Sequence, residues 1–124
     1  MHFCKHEDTY HGDYITGPTY LRIGVCFGDD ATLEPVVTIY PCDLDPRPDA
    51  HDPNRYLERA RQGVERANQE TNGDLVIASL NIYPSETPSV AGQAEILAYH
   101  IALGVLTGKD FPPMINSQES APEV

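Results

Sequence analysis

The side chains best suited to bind a metal or move a proton crowd the first residues of the chain: His2, Cys4, His6 and His11, interleaved with Glu7, Asp8 and Asp13. In an extended strand His2, Cys4 and His6 fall at i, i+2 and i+4 and project from one face, a donor set with the chemistry to seat zinc or another borderline metal. The spacing is not Cys-x-x-Cys or His-x-x-x-His, no fourth ligand presents itself, and a loosely paired terminal strand is the alternative. A second set, Glu86 with Glu95 and His100, offers carboxylates and an imidazole for acid–base work. Glu95 and His100 do not share a helix face, and no nucleophile or oxyanion donor accompanies them. No catalytic residue and no cofactor follow from these patterns.

Two charged stretches stand beside these sets. Asp29, Asp30, Glu34, Asp43, Asp45, Asp49 and Asp52 gather before the first helical pattern with Arg47 alone opposing them, but the calcium-loop pattern is absent and a solvated acidic loop is the expectation. Arg55, Arg59, Gln62 and Arg66 line one side of the helical pattern that follows. That side would suit a phosphate backbone or an acidic partner, or be a solvated face stitched by Glu58, Arg61 and Glu65. Cys4, Cys26 and Cys42 are an odd number at irregular spacing, so a disulfide framework is not expected. Cys26 reads as a half-buried sheet residue.

The elements that must position these residues are read from periodicity. Asp74–Tyr83 is a strand at the centre of a sheet, with Val76, Ala78, Leu80 and Ile82 on its apolar face. Thr19–Phe27 alternates cleanly, Leu21, Ile23, Val25 and Phe27 opposite Tyr20, Arg22, Gly24 and Cys26. Val36–Tyr40 is β-branched beyond a Gly-Asp-Asp turn and is expected to pair with it as an antiparallel hairpin, Pro35 confining it to an edge or a bulge. Tyr10–Ile15 is a further strand, ended by a Thr16-Gly17-Pro18 turn. Asp52-Pro53 opens a helix running to about Glu70, with Leu57, Ala60, Val64 and Ala67 buried beside Tyr56. Ser89 and Gly108 bracket a second helix with a stripe of Val90, Ala94, Leu97, Ala98, Ile101 and Val105, and a further apolar patch of Ile96, Tyr99 and Leu103.

The order β-β-β-α-β-α predicts an α+β domain, a two-layer α/β sandwich: a mostly antiparallel sheet of about four strands with two helices on one face. One domain over residues 1–108 is expected, with 1–13 mobile and 109–124 an acidic, disordered tail. The formal charge of −11, from 19 acids against eight Lys and Arg, argues against general affinity for nucleic acid. No apolar run is long enough to span a membrane and no basic-then-apolar leader opens the chain, so a cytoplasmic location is expected.

The stretch Pro53-Asn-Arg-Tyr-Leu-Glu-Arg-Ala-Arg-Gln-Gly-Val-Glu-Arg-Ala67, then Leu75–Ile82, then the helix through Ala94 to Leu106, resembles domain IV of elongation factor G. The likeness lies in the Pro-x-x-Tyr helix start, the Gly before a hydrophobic residue inside the helix, the aliphatic strand and the closing apolar helix, and covers about half the chain. It implies that domain's α/β fold, and two tip loops at Thr16, Gly17, Pro18 and at Ser85, Glu86, Thr87, which in the family contact RNA in the ribosomal decoding site. The first loop lacks the family's Gly-, Arg- and Gln-rich composition, the second lacks its His, and no Gly-x-x-x-x-Gly-Lys motif is present. The fold is therefore carried over without the activity. The leading expectation is a non-enzymatic module that binds a protein partner or itself, as a homo-oligomer, through Ile96, Tyr99 and Leu103. The alternatives are a ribosome- or RNA-associated factor, and a small metal protein or enzyme built on His2, Cys4 and His6.

Overall fold

The computed structural model describes residues 1–30, 32–40, 52–83 and 89–114. Its elements are β1 (His2–His6), β2 (Thr9–Thr16), β3 (Thr19–Gly28), β4 (Val36–Ile39), α1 (Pro53–Thr71), β5 (Val76–Tyr83) and α2 (Ala91–Leu106). The strands form one mixed sheet in the order β1-β2-β3-β5-β4, and both helices pack on one face of it. This is the expected two-layer α+β sandwich, with five strands because His2–His6 is a paired strand.

Local chemistry explains most element ends. Gly17 and Pro18 are the two residues between paired Thr16 and Thr19, and Gly17 has φ +57°, as the first central position of a type II′ hairpin turn requires. Asp52 caps α1, its carboxylate accepting the Asn54 N–H at 3.0 Å with Pro53 at the first helical position. The helix ends on Asn72 in the left-handed region. The α1 stripe is as read, with Tyr56, Leu57, Ala60, Val64 and Ala67 buried, and Gly63 among them. Leu21, Ile23 and Val25 of β3 meet Leu80 and Ile82 of β5 beneath Leu97 and Ile101 of α2, all fully buried. Burying each such side chain stabilises the fold by about 1.5–3 kcal/mol.

Four expectations are corrected. β4 does not form a hairpin with β3: β5 lies between them, pairing antiparallel with β3 and parallel with β4. Both ladder edges of β3 are taken by β2 and β5, and the outer place beyond β5 suits a short strand opened by Pro35. The phase of β5 breaks near its start, where a register shift opposite Cys26 and Phe27 turns Ile77 inward and leaves Val76 half-buried and Ala78 exposed. The cap of α2 is Val90, whose N–H is accepted by Gln93 Oε1 at 3.0 Å, while the Ser89 hydroxyl bonds with that of Tyr56 at 2.6 Å. Residues 109–114 are not a loose tail: Lys5 and residues 112–114 exchange backbone hydrogen bonds of 2.8 and 2.9 Å, and Phe111 packs edge-on against Tyr10.

One clamp left no periodic signal. Asn68 of α1 donates to the Leu75 carbonyl and accepts from the Leu75 N–H, both at 3.0 Å, fixing the chain as it enters β5. Asn68→Ala strands both backbone groups, and a loss of about 1–3 kcal/mol is expected by urea unfolding. Asn68→Asp, which keeps the acceptor, should lose less.

Candidate functional site

Strand register places one residue of each strand in rows across the sheet. On the face away from the helices the first row is His2, Asp13, Arg22, Tyr83 and then Tyr40, whose N–H continues the ladder to the Ile82 carbonyl at 2.9 Å. The second row is Cys4, His11, Gly24, Asn81 and Thr38. Neither helix lies over these rows, yet most of their side chains are half-buried because they lie flat upon one another.

The contacts run along the first row. His2 Nδ1 sits 3.3 Å from Asp13 Oδ1. The Arg22 guanidinium rests over the Tyr83 ring, 4.6 Å from its centroid, and Tyr83 stacks on Tyr40 at 4.9 Å with the planes only 4° apart. An aromatic pair and a cation over a ring each contribute about 0.5–1 kcal/mol at such exposure. Among the described residues no carboxylate lies within ion-pair distance of Arg22, and its hydrogen-bond partner is the Met114 thioether at 3.8 Å, a weak acceptor. A guanidinium offers five donors, so most of its capacity is unspent on the described residues. Burial pushes the Tyr20 and Tyr83 hydroxyls up; the Asp13 carboxylate adds to the first shift and Tyr40 to the second.

His11 is the most enclosed polar group of this face, 6% exposed, with its ring laid over Gly24 and tilted against Tyr83 at 5.8 Å. A Cβ on Gly24 would come within 2.9 Å of the His11 ring, so the glycine is the space in which the imidazole lies. Its Nδ1 is buried without a hydrogen-bond partner. Burial, then the charge of Arg22, then His6, lower its pKa from 6.5 to about 4. His11 is therefore neutral at pH 7.

The residues singled out from sequence fall elsewhere or apart. His2, Cys4 and His6 do share one face of β1, but His2 and His6 stand roughly 13 Å apart along the strand, too far for one ion to collect all three. His2 turns to Asp13 and His6 toward Glu7, and no group of three possible ligands converges among the described residues. The Cys4 thiol is pushed up by burial, and Cys26, half-buried as expected, bonds Thr9 Oγ1 at 3.1 Å. Glu95 and His100 diverge: Glu95 faces Arg59, whereas His100 lies against the rings of Phe3 and Tyr99. Glu86, with Ser85 and Thr87, and Cys42 lie outside the described residues.

The proposed interface of Ile96, Tyr99 and Leu103 is not an open patch. Ile96 is 38% exposed, but Tyr99 and Leu103 are half-buried against the core. Tyr99 carries the Arg66 guanidinium 3.9 Å from its ring centroid and donates its hydroxyl to Glu70 at 2.5 Å. The side of α2 expected to be free is the side on which α1 packs. The basic side of α1 is likewise engaged in part, Arg66 with Glu70 and Arg59 with Glu95, whose Oε1 lies 3.1 Å from Arg59 Nε though off the line of that N–H.

A shallow cleft of about 390 Å³ opens between the starts of the helices, lined by Tyr14, Arg59, Val90, Gly92, Gln93, Glu95 and Ile96. Gln93 is spent within it, donating to the Tyr14 carbonyl at 3.1 Å and accepting from Val90, and its charges face each other. The sheet face is where side chains gather with unused capacity. Its members were visible only as the polar side of each strand; nothing in the spacing showed that register would align Asp13, Arg22, Tyr83 and Tyr40. No helix among the described residues is long and apolar enough to cross a membrane. The chain matches no family model, and no curated protein or solved structure is significantly similar to it.

Proposed function

We propose that the chain is a non-catalytic interaction module, in architecture a standalone relative of elongation factor G domain IV, that docks a protein partner on the open face of its sheet. The observation that carries this reading is the row Asp13, Arg22, Tyr83, Tyr40: planar rings and a guanidinium with no carboxylate partner among the described residues, held in place on a face that neither helix covers. Preset aromatic and arginine side chains with little freedom to lose are the residues that anchor protein interfaces. Support for leaving the family's RNA contacts behind comes from the Gly17-Pro18 turn, which carries no base, and from the intramolecular pairs of Arg59 and Arg66.

Position-specific photo-crosslinking in cells tests this. A photoreactive residue replacing Ile15 or His6, both exposed on the open face, should yield a discrete crosslinked product. The same residue at Arg55 or Gln62, exposed on α1, should yield none. Products from the helix positions alone would move the docking surface to the other layer and end this reading.

A further inference from the structure

Resting on that reading, we infer that the occupant of the open face is a second copy of this chain, stacked face to face about a two-fold axis that runs along the strands between β2 and β3.

The inference comes from register. Such an axis exchanges β2 with β3 and β1 with β5, so each residue of β2 faces the β3 residue of the other copy with which it is paired in its own sheet. Asp13 pairs with Arg22, so the axis sets Asp13 of each copy against Arg22 of the other, twice. Each Arg22, which has no carboxylate within ion-pair distance among the described residues, then gains one. The same operation sets Ile15, 67% exposed, against Tyr20. Charge meets opposite charge and apolar meets aromatic with one operator. That self-complementarity is what an isologous contact requires, and two sheets stacked in this way form a sandwich with an ordinary inter-sheet spacing. On this local pattern the two −11 chains associate despite their long-range repulsion, which salt near 0.15 M screens beyond about 8 Å.

Charge exchange across the axis gives the test. The open face spans roughly 19 by 20 Å, small for a specific interface, so wild type should weigh as a dimer by light scattering at concentrations above about 10 μM. Arg22→Asp and Asp13→Arg each place like charges opposite one another twice, and each should be at least about 100-fold weaker and run as a monomer. Mixed in equal amounts, the two variants should form a heterodimer, because every facing pair is again opposite in sign; circular dichroism of each variant alone checks its fold. A wild type that stays monomeric to about 300 μM overturns the inference, as does a dimer that both substitutions leave intact. The outcomes separate the two levels. A monomer whose Ile15 or His6 positions crosslink to a product heavier or lighter than twice the chain overturns the second copy and keeps the docking face. Absence of any product from those positions removes both.

Discussion

Gly63→Ala should destabilise the protein by about 2–4 kcal/mol, read from the urea midpoint at constant m-value. The direction is opposite to what helix propensity gives, since replacing an exposed mid-helix glycine with alanine adds about 1 kcal/mol of stability. A Cβ at Gly63 would stand 2.2 Å from the carbonyl oxygen of Glu95 and 2.8 Å from the amide nitrogen of Tyr99. Both are backbone atoms of α2, so no side chain can swing aside, and the helices must move apart. The axes run side by side in the same direction, from Arg59 beside Gly92 and Glu95 to Gly73 beside Leu106, so a displacement at Gly63 is felt along the pair. It would loosen the packing of Val64 and Ala67 within the shared core and lengthen the Tyr99 contacts to Arg66 and Glu70. Gly92→Ala is the control: its Cβ would meet only the flexible end of Arg59, at 3.2 Å, and stability should change by less than about 0.5 kcal/mol. Equal midpoints for Gly63→Ala and wild type would show that the helices do not touch there.

Gly63 also marks the boundary of what the sequence could reveal about the fold. Signals that act within one element were legible: the Asp52-Pro53 start, the α1 stripe, the alternation of β3, and Gly108, which takes φ +77° after the last turn of α2. Signals that depend on which elements become neighbours were not. β4 follows β3 across a turn-forming stretch, and proximity favours a hairpin, yet parallel pairing with β5 lets Val37 and Ile39 join Leu80 and Ile82 in the core. The second apolar side of α2 was real as a pattern, but its explanation was α1. A helix apolar nearly all round needs cover from two directions, and the second direction was another part of the same chain.

The sheet face extends the same lesson to function. Sequence reasoning assigned chemistry to residues close along the chain, such as His2, Cys4 and His6, where register assigns it to residues spread from Asp13 to Tyr83. The polar sides of β2, β3 and β5 each look like a solvated strand face alone. Aligned, they bring a carboxylate, a guanidinium and stacked rings into one row, with a neutral imidazole in the next. Only pairing that is long-range in sequence creates such a surface, and a single sequence without its pairing does not display it.

His11 is where this surface should announce itself in a bulk measurement. Wild type should lose about 2–3 kcal/mol of stability, relative to His11→Phe, as pH falls from 7 to 4 at fixed protein concentration. Phenylalanine keeps a ring over Gly24 and beside Tyr83 and cannot titrate. The sign follows from the direction of the shift. In the unfolded chain the imidazole takes a proton near pH 6.5, whereas in the fold it resists until about 4. Between those values the unfolded state binds more protons, so unfolding becomes progressively favoured as pH falls, and the difference levels off below 4. The magnitude is somewhat below the full conversion of the shift because solvent reaches part of the ring. Burial leads among the causes and Arg22 follows, so Arg22→Gln should recover part of the wild-type loss without abolishing it. Carboxylates also titrate at the acid end of this range, and comparison with His11→Phe removes their common contribution. Parallel curves for wild type and His11→Phe from pH 7 to 4 would place the imidazole in water and refute the packed row against Tyr83.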